Sequence, residues 1–284
     1  MTYGDSSGDA FERMVVRTIY ADALHQAGRR DEAEARFREA EQMLAEWQPD
    51  YPLLYSFAGF RYCDLLLADA EREAGKTVGE QKNDEGLALC RTVAERAAQT
   101  LKWAEQNNDP FLDITLDHLT LGRAALYAAI LESRSRQREP AQHSFPPPMS
   151  EASQRGFTTA TMELDHAVSG LRRAGTQDHL PRGLLTRAWL RSLTGARNGP
   201  ESAQSDLDEA WKIAERGPMP LFLADTHLYR ARLFFDEATY PWQSPRRDLA
   251  EARRLIFEHG YLRRKEELED AEAALKSLGD AATP

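Results

Sequence analysis

Residues 20–41, YADALHQAGRRDEAEARFREAE, decide the fold. The first part completes an apolar face in which Met14, Val15, Thr18, Ile19, Tyr20, Ala23 and Leu24 recur at three-to-four spacing, the period of an amphipathic helix. Gly28 ends that helix. Asp31 then offers an N-cap for a second one, which carries Ala33, Phe37 and Ala40 and runs to about residue 47, before Pro49 and Pro52 stop it. Two helices joined by so short a turn must pack antiparallel.

The same figure recurs along the chain. Paired helices are predicted over residues 55–74 and 86–106, 113–136 and 156–173, 181–194 and 203–216, and 221–238 and 246–259. A charged helix over about 263–278 closes the sequence. The step of Ala, a bulky residue four later and Ala three after that returns as Ala160, Leu164, Ala167 and as Ala203, Leu207, Ala210. Leu249 and Ala252 keep its second half. Small residues let the second helix of a pair lie close to its neighbours while the bulky one fills the groove between them. In the first helices Ala21, Gly59, Gly122, Ala188 and Ala231 take the crossing place. Strand signals are nearly missing. Residues 137–155, with Pro140 and the run Pro146, Pro147, Pro148, read as an extended, exposed insertion.

These steps resemble the tetratricopeptide repeat, over roughly residues 11–260. The resemblance implies an all-α, right-handed α-solenoid: about five helix hairpins plus a C-terminal capping helix, in a single domain spanning 1–284. The stretches YADALHQAGRRDEAEARFREAE, YPLLYSFAGFRYCDLLLADAERE, GLRRAGTQDHLPRGLLTRAWLR and DLDEAWKIAERG are also similar to the tetratricopeptide arms of bacterial STAND-type signalling NTPases. That likeness implies a sensor or scaffold arm working with an NTPase module in cis or in trans. No G-x-x-x-x-G-K-[ST] phosphate loop stands in this sequence. The chain therefore reads either as a piece of a larger protein or as a free-standing relative.

Composition narrows the partners. A net charge of −10 argues against nucleic acid or an anionic membrane surface as the main target, and no apolar run is long enough to span a bilayer. The start, MTYGDSSGDAFERM, lacks the basic and apolar regions of a signal peptide. Two cysteines, Cys63 and Cys90, are too few for a disulfide scaffold, which fits a reducing cytoplasm. Both read as packed, unactivated thiols. Among seven histidines the one suggestive spacing is Glu163-x-x-His166, and a single copy does not make a di-iron site. The sequence thus predicts no enzyme, no cofactor and no metal. The arginines and lysines of RRKEELEDAEAALK read as a solvated i,i+4 network.

What remains is binding. Stacked hairpins create a concave surface lined by their first helices. Projection from the crossing residues predicts that Phe60, Arg123, Tyr127, Arg182, Trp189 and Arg232 line it. Arginine forks recognise carboxylates and Trp189 supplies an apolar anchor, a combination suited to a protein or peptide partner. On this reading, Arg123 and Arg232 serve capture and leave stability nearly untouched. The alternative is a receptor for a small molecule or peptide pheromone whose superhelix pitch changes when the ligand binds.

Overall fold

The computed structural model describes residues 9–76, 83–137, 150–175 and 177–281. Among them there is no strand. Eleven α-helices follow one another: α1 Ala10–Gln26, α2 Arg30–Trp47, α3 Ser56–Gly75, α4 Asn83–Asn107, α5 Phe111–Gln137, α6 Glu151–Ala174, α7 Leu180–Leu193, α8 Ala203–Arg216, α9 Pro220–Phe234, α10 Pro245–Glu258 and α11 Lys265–Ala281. A 3-10 turn, Leu262–Arg264, precedes α11.

Local chemistry explains the boundaries. Asp9 accepts a hydrogen bond from the Phe11 amide at 2.8 Å and so starts α1. Gly28, at φ +74°, ends it: its amide reaches the His25 carbonyl and the Arg29 amide reaches that of Leu24. Asp31 is not the cap of α2; the helix begins at Arg30, so the Asp31 carboxylate sits in the first turn, where it complements the helix dipole. Ser202 and Ser205 form a reciprocal capping box on α8, and Ser244 caps α10 ahead of Pro245. The expected insertion lies outside the described residues from 138 to 149. From Ser150 onward the expectation of extended chain fails, because the Ser150 hydroxyl accepts from the Ser153 amide at 2.9 Å and α6 begins five residues early.

The helices pack in adjacent pairs, α1 with α2 through α9 with α10, and each second helix also meets the next first one. First helices touch in succession: α1 with α3, α3 with α5, α5 with α7, α7 with α9. Ala33, Phe37, Ala40, Ala160, Leu164, Ala167, Ala203, Leu207 and Ala210 are all completely buried, as the spacing requires. The crossing of α5 and α6 shows why size matters. A Cβ added to Gly122 would stand 2.7 Å from Leu164 Cγ, so the leucine occupies the space that glycine leaves. Gly59 differs from this expectation, since what approaches it is the Leu54 carbonyl of its own preceding turn.

The end of the chain returns to its beginning. The 3-10 turn touches α1 as well as α10, with Leu262 against Gly28, and α11 lies on α9 and α10. Arg72 of α3 pairs with Glu266 and Asp270 of α11. No helix of the described residues is long and apolar enough to cross a membrane.

Candidate functional site

On α3, Asp64 and Glu71 are seven residues apart and therefore share a face, the one turned toward the neighbouring first helices. Both are buried, Glu71 completely. Arg123 of α5 reaches Asp64 Oδ1 at 2.7 Å and Glu71 Oε2 at 3.2 Å. From the other side, Arg264 donates from Nε to Asp225 Oδ1 of α9 at 2.8 Å and contacts Glu71 Oε1 at 3.0 Å. Arg263 is paired with Asp64, and Arg182 lies 3.8 Å from both Asp64 and Asp225. Tyr229 donates to Glu71 at 3.0 Å and Tyr261 to Asp225 at 3.1 Å.

Charge and burial oppose each other here. Burial raises the carboxylate pKa values of Asp64 and Glu71, but Arg263, Arg182 and Arg123 around Asp64, and Arg264, Arg123 and Arg263 around Glu71, hold both below the ordinary range. His25, 3.6 Å from Asp64, is also lowered, by burial and then by Arg263, to about 4, which leaves an imidazole neutral at pH 7. Buried ion pairs around Asp64 and Glu71 thus occupy the interior.

Two sequence expectations are corrected at this point. Arg123 is fully buried and Arg182 nearly so, hence neither is an exposed fork on an open surface; the acids of α3 and α9 already engage them. Arg263 and Arg264 are 3% and 1% exposed at the side chain, and so are not members of a solvated network. The turn holding them packs on α1, α10 and α11 and sends these side chains to Asp64 and Glu71 of α3 and Asp225 of α9.

Three of the four remaining candidates, Tyr127, Trp189 and Arg232, form one continuous run. Arg123 Nε donates to the Tyr127 hydroxyl at 3.3 Å, and the Tyr127 ring meets Trp189 at 5.5 Å between centroids. The Arg232 guanidinium stacks over Trp189 at 5.1 Å while bonding Glu267 at 3.1 Å. Phe60 stands apart, edge-on to His179 at 5.4 Å. Beyond Trp189 and Arg232 opens a cavity of about 320 Å³, bounded by the C-terminal ends of α3, α5, α7 and α9 and by α11. Arg134, which the sequence reading passed over because it lies at the end of a long helix among serines, also lines it. So do Leu193, Leu233, Leu249 and Leu275.

A second cavity, about 180 Å³, sits between the start of α3, the end of α4 and the start of α5. Tyr51, Tyr55 and Trp103 wall it, with Asp113 and Asp117 below. Burial lifts Asp117 to about 7 against a 2.7 Å bond from Thr100, and it lifts Asp113 against one from Ser56.

Reactive groups are scarce. Cys63 and Cys90 are buried, and burial pushes their thiols up to about 11 and 12. Glu163 is bound to His118 Nδ1 at 2.6 Å, with the His166 ring edge-on to His118. Among the described residues no three acidic, histidine or cysteine side chains converge as a metal site would require. Comparison with protein-family models, with curated proteins and with solved structures finds no match.

Proposed function

We propose that the chain is a tetratricopeptide-like right-handed α-solenoid, with α11 as its capping helix, and that it works as a non-catalytic binding module. Its role on this reading is that of a sensor or scaffold arm in a bacterial signalling system, in the cytoplasm, serving an NTPase module in cis or in trans. The contact of each first helix with the next supports the solenoid. Resemblance supplies the signalling part.

One observation carries the binding reading. Trp189 and Arg232, selected as anchor and fork by helical spacing alone, form a wall of the same half-open cavity. Arg263 and Arg264 of the chain's own 3-10 turn engage Asp64, Glu71 and Asp225, so a protein or peptide partner engages at the cavity mouth, where Leu193 is 48% exposed. A photo-crosslinking amino acid at position 193, introduced in native cells, tests this. The expected outcome is a discrete polypeptide adduct that disappears when Ala273→Trp plugs the cavity. An adduct indifferent to the plug, or none, overturns it.

A second reading is favoured by the cavity's size. About 320 Å³ within several helix ends accommodates a small molecule better than a length of polypeptide. On that reading the module is a small-molecule receptor.

A further inference from the structure

The cavity beside Trp189 has a chemical preference. Its lining carries the cations Arg72, Lys76, Arg134, Arg197 and Arg232 against the carboxylates Asp236, Glu267 and Asp270, an excess of positive charge in a chain whose net charge is −10. Most of that charge is engaged. Arg72 pairs with Asp270, Lys76 with Glu73, Arg197 with Asp236 and Arg232 with Glu267.

Arg134 is the exception. Its single hydrogen bond runs from Nη1 to the Glu73 carbonyl at 3.1 Å, and among the described residues no carboxylate lies within ion-pair distance of it. Burial, and next to it the Arg232 cation, make its charge less favourable than in water, an effect the more distant Glu73 carboxylate offsets only in part. Helix C-termini attract cations, which accounts for arginines being here at all. Glu267 balances Arg232, but Arg134 has, among the described residues, one carbonyl and no carboxylate at hydrogen-bond distance, so an anion beside it would restore balance. The lining also holds apolar groups, the indole of Trp189 under Arg232 and the side chains of Leu233, Leu249 and Leu275. Gly75 completes the space: any side chain there would collide with the Arg232 guanidinium, 1.8 Å from the Cβ it would carry.

We propose that this cavity is a binding site for a small organic anion, an apolar ring or short chain bearing one carboxylate or phosphate group. Arg134 would hold the charge, and Trp189 with the leucines the apolar body. The inference rests on the small-molecule reading above and names its ligand class.

Calorimetric titration of the full chain with 3-phenylpropionate, octanoate, phenyl phosphate, inorganic phosphate and the uncharged 3-phenylpropanamide tests it. At least one organic anion should bind, with the amide and inorganic phosphate each weaker by at least about tenfold, as a charge-assisted bond and an apolar wall require. The tighter of the carboxylate and phosphate series identifies the head group. Arg134→Gln should weaken that anion by at least about tenfold without lowering the ligand-free melting temperature, and Arg134→Lys should fall between the two. Ala273→Trp should abolish binding from an exposed position. The proposal is overturned when no anion binds, when acid and amide bind alike, or when Arg134→Gln leaves affinity unchanged. Such a failure leaves the crosslinking result at position 193 untouched, so the two readings fall separately.

Discussion

Arg263 and Asp64, 199 residues apart in sequence, are ion-paired in the interior. The pair joins the last turn before α11 to the third helix, and with it the whole network of Arg123, Glu71, Arg264 and Asp225 becomes a long-range clasp. Removing one member of a buried ion-pair network strands the charges left behind.

Arg264→Met should therefore cost about 3 to 5 kcal/mol in urea unfolding. Arg253→Ala, which breaks only the exposed pair with Glu272, should stay within about 0.5 kcal/mol. Equal effects would show that the C-terminal segment is not docked. By the same reasoning Arg123→Ala lowers stability, against the sequence expectation that it would spare it.

Stability should depend on pH through His25. Its folded pKa of about 4 lies below the ordinary 6.5, so the unfolded chain takes up the proton first. The contribution is complete above pH 6.5 and is lost as pH falls toward 4, about 3 kcal/mol in all. Asp64 and Glu71, held below the ordinary carboxylate range, add a further loss at still lower pH. Because Asp117 titrates in the opposite sense over the same range, the His25 contribution is read as a difference: the unfolding free energy of the native chain minus that of His25→Phe should fall by about 3 kcal/mol from pH 8 to 4.

Asp117 acts in the opposite sense. Raised to about 7, it keeps its proton in the folded state, so its own contribution to stability falls as pH rises from about 4 to 7. Asp117→Asn should stabilise the chain at pH 8 and have little effect at pH 4. A melting temperature unchanged at pH 8 would contradict the burial of this carboxyl.

Gly122→Ala should destabilise by about 1 to 3 kcal/mol, because the new methyl enters the space of Leu164. Leu164→Ala alone leaves a cavity. The double substitution should cost less than the two singles together, a coupling that a double-mutant cycle reads directly.

Both thiols should resist a soluble disulfide reagent until the fold opens. Modification at the rate of a free cysteine under native conditions would place one of them at the surface.

Helix pairing was legible because it depends on near neighbours in sequence: Gly28, Pro49, Pro52, Pro181 and Pro220 punctuate it, and the Ala–bulky–Ala step marks the contact face. Spacing of the same kind singled out Tyr127, Trp189 and Arg232 as surface-lining, but Tyr127 and Trp189 are buried, Tyr127 completely. What escaped was whatever crosses the molecule. Arg263 and Arg264 stand in a run of alternating charge that reads as solvated, and nothing local tells that Asp64 and Glu71 wait for them. A faint signal existed: Asp64 and Glu71 occupy one face of CDLLLADAERE, a carboxylate at each end of a buried leucine stretch. Arg134 escaped because its significance lies in a missing counter-ion, which only the packed structure can reveal.

In stacks of helical hairpins where each unit touches only its neighbours, pulling on the ends stretches the whole as a soft spring. The contact of Leu262 with Gly28, and the bonds from Arg263 and Arg72 across to the opposite end, short-circuit that elasticity. Tension applied at α1 and α11 would load these few links in shear before any hairpin separates, so the molecule would yield abruptly rather than lengthen by degrees.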